Sequence, residues 1–219
     1  KTLDTAFDVM GDIILSTAAQ QYGGFTVPEV DKILSPYAQK SYNKYYEEFL
    51  KYSDPSWEGR EERARIYAWE KVCRDCDQGW QGIEYKLNTV GSSRGDYPFV
   101  TVTLGLGTGR FEKMISKSLL KVHMGGQGKA GHKKPVLFPK IVFLYDEEIH
   151  GDGKECEDVF EAGVACSAKT MYPDWLSMSG QGYIYSMYKK YKKVISPMGC
   201  RAFLSPWYER GGMEPADEN

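Results

Sequence analysis

The chain has 219 residues, of which 42% are hydrophobic and 26% are charged, and its formal net charge is −2. This composition is ordinary for a globular protein, and the length allows one large domain or two small ones. A charge this close to zero gives no general attraction to nucleic acid, and no run of about eighteen apolar residues predicts a membrane span. Lys1 opens directly into a helical pattern without an apolar signal segment. From the charge and the lack of long apolar runs, we expect neither a nucleic-acid partner nor a membrane partner.

The cysteines indicate a reducing compartment. A secreted disulfide framework is normally short and carries an even number of cysteines. This chain has an odd number, spread widely: Cys73, Cys76, Cys156, Cys166 and Cys200. We therefore expect a cytoplasmic protein.

The first 90 residues are predicted to be mainly helical. Apolar residues recur at steps of three and four from Leu3 to Gln21, and the glycine pair Gly23–Gly24 ends this helix. Pro28 fits the first turn of a second helix, and the aromatic, lysine-rich stretch from Tyr37 to Tyr52 is again helical. After a surface connection, a long and charged helical segment covers Glu58 to Val90.

Strands and helices alternate in residues 91–219. FVTVTLGLG predicts a strand, RFEKMISKSLLKVHM an amphipathic helix, and the nearly continuous apolar run PVLFPKIVFLY a strand covered on both faces. Cys156 to Met171 is predicted to be a helix, PDWLSMSGQG a loop, and KKVISPMGCRAFL a strand that runs into a turn. This alternation predicts an α/β fold with a parallel sheet or part of a barrel, because two or three covered strands are too few to close a barrel.

Two glycine-rich stretches are similar to nucleotide-binding loops but do not meet all their requirements. Gly126–Gly131 satisfies G-x-G-x-x-G, but a helix precedes it and a strand follows it, which reverses the dinucleotide-binding order. LGLGTG at 104–109 follows a strand and precedes a helix, but it lacks the full spacing and an acidic partner about twenty residues on. Tight strand–helix packing is the favoured role of this second loop, and a phosphate contact at the helix N-terminus stays open.

No metal site is predicted in this chain, and no cofactor-binding residue is assigned. Cys73 and Cys76 form a C-x-x-C pair, but no second pair accompanies it, and residues three apart on a helix merely share a face. Cys156 and Cys166 are likewise interpreted as packing residues. Three histidines have no carboxylate or cysteine spaced for a metal: His123, His132 and His150.

One cysteine lies in an unusual setting, the segment SPMGCRAFL from Ser196 to Leu204. On residue type alone, Cys200 is interpreted as a buried thiol that packs as a small hydrophobe. Five stretches in order change that interpretation: DTAFDVMGDIILSTAAQQYGGFTVPEVD, SSRGDYPFVTVTLGLGTGRFEK, PVLFPKIVFLYDEEIH, ACSAKTMYPDWLS and VISPMGCRAFLSPWYE. Together they resemble the anaerobic (class III) ribonucleoside-triphosphate reductases, which are glycyl radical enzymes, over almost the whole chain.

The resemblance implies both a fold and a chemistry. The chain would be part of a ten-stranded α/β barrel, with a helical N-terminal half followed by alternating strands and helices that end in a finger loop near residues 196–204. Cys200 matches the cysteine at the tip of that loop, which becomes a thiyl radical and abstracts the ribose 3′ hydrogen before the 2′ hydroxyl leaves as water. Gly199 would let the backbone approach closely and bend tightly.

Two neighbours of that cysteine have open roles. Met198 matches a methionine of formate-using members, and a chemical role and simple space filling are both retained for it. Arg201 fits the motif, and a structural ion pair is favoured over a contact to substrate.

The family pattern extends beyond both ends of the chain. We expect residues 1–219 to form a single partial catalytic-barrel domain, without the family's ATP-binding N-terminal domain and without its C-terminal domain, which carries a structural zinc and the glycyl radical. For the parent enzyme, the resemblance implies ribonucleoside triphosphates as substrates, ATP and deoxynucleotide effectors, a homodimer and a radical-SAM activating enzyme. Met198 favours formate over a protein dithiol as the reductant. We expect the chain alone to be inactive.

Two other functions stay open at this point. A glycyl radical enzyme of the formate-lyase type often carries a cysteine pair, and the single cysteine of MGCR argues against it. A non-catalytic nucleotide-binding or regulatory module would keep the fold without the chemistry. The base preference of the enzyme cannot be read from the sequence.

Overall fold

The computed structural model of the chain describes residues 1–21, 23–91, 95–191 and 193–198. Its elements in chain order are α1 (Leu3–Gln20), β1 (Phe25–Val27), α2 (Val30–Tyr52), α3 (Arg60–Thr89), β2 (Val100–Leu104), α4 (Arg110–Gly125), β3 (Lys140–Tyr145), α5 (Glu147–His150), α6 (Glu157–Thr170), β4 (Asp174–Ser177) and α7 (Tyr183–Tyr191). Within these ranges, no helix combines the length and apolar character that crossing a lipid bilayer requires.

The four strands form one parallel sheet in the order β1-β2-β3-β4. Thr26 is in register with Thr101, Val102 with Ile141, and Phe143 with Trp175. Helices connect successive strands, as parallel pairing requires. The predicted parallel α/β sheet is therefore confirmed, whereas the closed ten-stranded barrel stays a prediction.

Helices pack on one face of the sheet and form the main core with it. The side chains of Val102, Leu104 and Phe143 point to this face, where they join apolar residues of α1, α2, α3, α4 and α6. All five residues of β2 are buried, and four of the six in β3 are buried as well. The predicted strand covered on both faces is thus confirmed for Lys140–Tyr145.

Close contact between α1 and α3 depends on a glycine. Phe7 lies edge-on to the fully buried Trp80, with 5.0 Å between ring centroids. A Cβ at Gly79 would lie 2.1 Å from Cδ2 of Phe7, so only a residue without a side chain allows this ring position. The predicted helices over 3–21, 58–90 and 156–171 are confirmed to within about two residues at each end, the usual uncertainty of helix boundaries.

The prediction for residues 25–52 was wrong in two respects. Phe25–Val27 is a strand, so Pro28 lies between a strand and a helix and not in a helical first turn. The following helix is continuous from Val30 to Tyr52 and contains Pro36. A proline inside a helix removes one backbone hydrogen bond, but packing of the long helix against α3 and α4 outweighs this local penalty.

Three other predictions in the second half need correction. Asp174–Ser177 is a strand that pairs with β3, although PDWLSMSGQG was predicted to be a loop. Tyr183–Tyr191 is a helix that the pattern did not indicate. Residues 193–198 form no regular strand, although one was predicted there, and Met198 takes part in an isolated β-bridge. Residue 192 and the rest of that predicted strand and turn, from residue 199 onward, lie outside the described residues.

Candidate functional site

The inner face of the sheet is the face opposite the main helix layer. Side chains alternate along a strand, so this face carries Thr26 of β1, Thr103 of β2, and Val142 and Leu144 of β3. Helix α7 covers part of it, and Ile184 packs with the two β3 side chains. This apolar packing removes water from the β3 part of the inner face.

The segment that leads to the predicted finger loop lies on the inner face. The Thr26 hydroxyl donates a hydrogen bond of 2.6 Å to the carbonyl oxygen of Pro197. The Thr103 hydroxyl lies 3.2 Å from Ser196 Oγ and also accepts a hydrogen bond of 2.8 Å from the Glu29 backbone N–H. Two neighbouring strands therefore hold consecutive residues of the segment.

The described part of the chain includes only one of the predicted site residues. Met198 is half-buried and directly follows the held Pro197. Gly199, Cys200 and Arg201 lie outside the described residues, so their roles stay predictions. The inner-face threonines were missed by sequence reasoning, because nothing in the sequence links Thr26 to a residue 171 positions away.

A cleft of about 720 Å³ opens at the carboxyl ends of β3 and β4. In open α/β sheets, ligands bind in the crevice at this edge. The volume falls within the range of small-molecule pockets, about 300–1,000 Å³. The cleft has both acidic and basic side chains as well as aromatic ones, among them Asp146, Glu147, Lys154, Tyr185, Tyr188 and Lys189.

A buried carboxylate occupies the glycine-rich loop at 104–109. Asp31 Oδ2 accepts hydrogen bonds from the backbone N–H groups of Gly105 and Gly107, at 3.0 and 3.1 Å. The N–H of Gly109 donates to Glu112 Oε2 at 2.7 Å. The protein's own carboxylates accept from these three N–H groups, which is consistent with the favoured packing role of the loop.

The electrostatic setting of Asp31 is unusual. Its side chain is fully buried at the start of α2, and this burial raises the pKa of its carboxyl, while hydrogen bonds from Gly105, Lys32 and Gly107 act in the opposite direction. Ser116 Oγ lies 3.3 Å from the same oxygen. One carboxylate thus joins α2, the loop after β2 and α4.

His150 supports the same loop from the other side. Its Nε2 lies 2.8 Å from the carbonyl oxygen of Gly105, and its Nδ1 lies 3.0 Å from both the backbone nitrogen and the carbonyl oxygen of Asp146. A neutral ring with the proton on Nε2 donates to Gly105 and accepts from the Asp146 N–H. Burial lowers the pKa of His150, which favours this neutral form.

A buried pair joins α3 to α4 on the helix side. His123 Nδ1 lies 2.9 Å from Glu84 Oε1, and both side chains are almost completely buried. This carboxylate is 39 residues away in the sequence, so spacing did not indicate it. Across the described ranges, no three His, Cys, Asp or Glu side chains are grouped closely enough to hold a metal ion.

The four cysteines that the structure describes have free thiols. Cys73 and Cys76 lie within α3, as predicted, and Cys166 lies within α6. Burial raises the pKa of all four thiols, and that of Cys76 rises to about 12. Such thiols are poor nucleophiles at neutral pH. This is consistent with packing roles.

Together, the sheet and the held segment define an α/β protein whose candidate site is built on the inner face of a parallel sheet. The family model of the anaerobic ribonucleoside-triphosphate reductases matches residues 1–217. The chain therefore belongs to the anaerobic ribonucleoside-triphosphate reductase family.

Curated relatives bear the same name. The chain is 36% identical over 219 residues to the anaerobic ribonucleoside-triphosphate reductase of Enterobacteria phage T4, covering 99% of this chain and 34% of the relative. It is 35% identical over 212 residues to the enzyme of Haemophilus influenzae, which covers 96% of this chain and 28% of that relative. It is 33% identical over 218 residues to the enzyme of Escherichia coli K12, which covers 99% of this chain and 28% of that relative. The chain thus spans about a third of the length of these relatives.

Proposed function

We propose that the full-length protein containing this chain reduces ribonucleoside triphosphates to deoxyribonucleoside triphosphates under anaerobic conditions. The observation that carries this proposal is the family match, which extends over residues 1–217 and therefore includes the Met-Gly-Cys-Arg sequence. The geometry supports it, because Ser196 and Pro197 are hydrogen-bonded to the inner face of the sheet. The chain contributes one partial catalytic-barrel domain, residues 1–219, to that protein.

In the proposed reaction, Cys200 acts as a hydrogen-atom carrier. Its thiyl form takes the hydrogen atom from C3′ of the ribose, which forms an S–H bond and leaves a carbon radical on the sugar. The 2′ hydroxyl then gains a proton from solvent and leaves as water, which breaks the C2′–O bond. Formate is oxidised to carbon dioxide and supplies two electrons and one proton, which together form the new C2′–H bond. The thiol finally returns its hydrogen atom to C3′, which restores the thiyl.

The environment of Met198 fits a supporting role near this thiol. Met198 is half-buried, next to the buried Pro197. A thioether there is polarizable and excludes water, and both properties would protect a radical intermediate. Gly199 would provide the bend in the loop, and Arg201 a structural ion pair.

The rest of the machinery is proposed for the parent protein. A glycyl radical outside this chain would generate the Cys200 thiyl after action of a radical-SAM activating enzyme. A structural zinc, ATP and deoxynucleotide effectors and a homodimeric state complete the proposal. We propose that the radical glycine lies outside these 219 residues, and we therefore expect no turnover from the purified chain.

Anaerobic turnover by the full-length protein tests the function. The protein is activated and supplied with a ribonucleoside triphosphate and formate, and the deoxynucleotide is quantified by chromatography. We expect one deoxynucleotide and one carbon dioxide for each formate consumed. Cleavage of a 2-oxoacid with coenzyme A would instead indicate the formate-lyase type. Nucleotide binding without product would indicate a regulatory module.

A further inference from the structure

Thr26 and Thr103 hold a stretch of backbone that does not pair as a regular strand. Pro197 has no backbone N–H, so this stretch cannot pair as a regular strand at that residue. Its carbonyl oxygen accepts instead from Thr26, and the side chain of Ser196 meets Thr103. Hydroxyl groups on two neighbouring strands thus contact this stretch where regular strand pairing is interrupted.

Thr103 contacts two partners through one hydroxyl. A hydroxyl has one proton to donate and two lone pairs. The Glu29 N–H donates to one lone pair of Thr103 Oγ1, and the contact to Ser196 Oγ uses either the threonine proton or the second lone pair. Glu29 has a left-handed backbone with φ of 44°, so this contact also fixes the turn between β1 and α2.

Both threonines occupy positions where an apolar residue would otherwise be expected. Thr103 is fully buried, and Thr26 is half-buried on the same face of the sheet. A buried hydroxyl destabilises the fold unless it is hydrogen-bonded. The Val194–Met198 segment supplies hydrogen-bond partners for both hydroxyls, the Pro197 carbonyl oxygen for Thr26 and the Ser196 hydroxyl for Thr103.

We propose that Thr26 and Thr103 are positioning residues for Cys200, acting through Pro197 and Ser196. This rests on the proposed function, in which the Cys200 sulfur must approach C3′ of the ribose. Cys200 is the third residue after Pro197, so their Cα atoms lie at most about 11 Å apart. We expect a change at the held residues to disturb the position of the thiol, and a misplacement of about 1 Å can lower a rate roughly a hundredfold.

The main test replaces one hydroxyl without changing the shape of the side chain. In the activated full-length protein, Thr26→Val removes the donor to Pro197, and Thr26→Ser keeps it. We expect kcat per glycyl radical to fall roughly tenfold to a hundredfold in the valine variant, with KM changed less than kcat. The serine variant should recover most of the loss.

Thr170→Val is the matched control for loss of a threonine hydroxyl. Thr170 Oγ1 donates to the carbonyl oxygen of Cys166 at 2.9 Å and accepts from the N–H of Tyr172, on the helix side of the sheet. We expect this variant to lower the melting temperature about as much as Thr26→Val while kcat per radical stays near wild type. An equal loss of kcat in both variants would overturn the proposal.

A double-mutant cycle tests the route through Ser196. If Thr103 acts through this side chain, Thr103→Val should lower kcat in the wild-type background but have little further effect in Ser196→Ala. Additive losses would contradict the route. A loss of total turnover that is fully explained by a lower glycyl radical content of the variant would also overturn the proposed positioning role.

Cys200→Ser separates this proposal from the proposed function. If Cys200→Ser is inactive and Thr26→Val has wild-type turnover, positioning fails while the function stands. If Cys200→Ser retains turnover, the proposed function fails, whatever the threonine variants do.

Discussion

Replacing Asp31 by alanine should unfold the loop that leads from β2 into α4. The carboxylate is fully buried and accepts from the N–H groups of Gly105 and Gly107 through one oxygen. Its second oxygen accepts from the N–H of Lys32 at 3.0 Å. Both glycines are buried, so water cannot easily replace the lost acceptor.

The magnitude follows from the unpaired donors. A buried donor left without an acceptor destabilises by about 1–3 kcal/mol, so two give about 2–6 kcal/mol. Removing the carboxylate also relieves its own desolvation, which favours the lower part of this range. Even about 2 kcal/mol is a substantial fraction of the roughly 5–15 kcal/mol that stabilises an ordinary domain.

Glu112→Ala provides the matched control, because Glu112 caps the exposed Gly109 of the same loop. Loss of such an exposed capping-box contact destabilises by about 0.3–1.5 kcal/mol. Urea unfolding, followed by circular dichroism, measures both variants, and amide hydrogen exchange reports on residues 105–109. We expect Asp31→Ala to be clearly the less stable variant and to exchange faster in the loop. Equal destabilisation by the two substitutions would refute the reasoning.

Three further predictions concern other parts of the fold. The pKa of His150 in the folded state lies below its ordinary value of 6.5, so the unfolded state binds the proton more readily. The stability that the neutral ring contributes should therefore be fully present above pH 6.5 and should fall as the pH drops below 6.5. Urea titrations at several pH values measure this dependence, which should disappear in His150→Gln. Gly79→Ala should lower the free energy of unfolding by about 1–3 kcal/mol, because the new Cβ would clash with the Phe7 ring. Gly82→Ala on the same helix is the control, because a Cβ at that position meets no atom within 4 Å and should not destabilise the fold. Cys76, with its pKa raised to about 12, should resist iodoacetamide at pH 8 in the folded chain and react after urea is added, and fast native labelling would contradict its burial.

The sequence predicted the parts of the fold that have a strong local pattern. Helices α1 and α3 repeat apolar residues over many turns, and β3 is a nearly continuous apolar run. Strands β1 and β4 have only three and four residues, which is too short for a pattern. Their stability comes from pairing with β2 and β3, and this information lies elsewhere in the chain.

The site was predictable only in part. The turn residues around Cys200 could be recognised because they are contiguous and resemble a known family. The residues that support the segment could not, because Thr103 and Ser196 are 93 positions apart and a threonine in a strand is an ordinary β-branched residue. Asp31 was likewise missed, since its partners Gly105 and Gly107 are 74 and 76 positions away.

The central claim is that Cys200 carries the hydrogen atom between enzyme and ribose. The most direct measurement compares wild type with Cys200→Ser in the anaerobically activated full-length protein, recording the glycyl radical by electron spin resonance and the deoxynucleotide formed from a ribonucleoside triphosphate. The account predicts that the serine variant keeps the radical signal and forms no product. Continued formation of deoxynucleotide by that variant would contradict it and would leave Cys200 as a packed thiol.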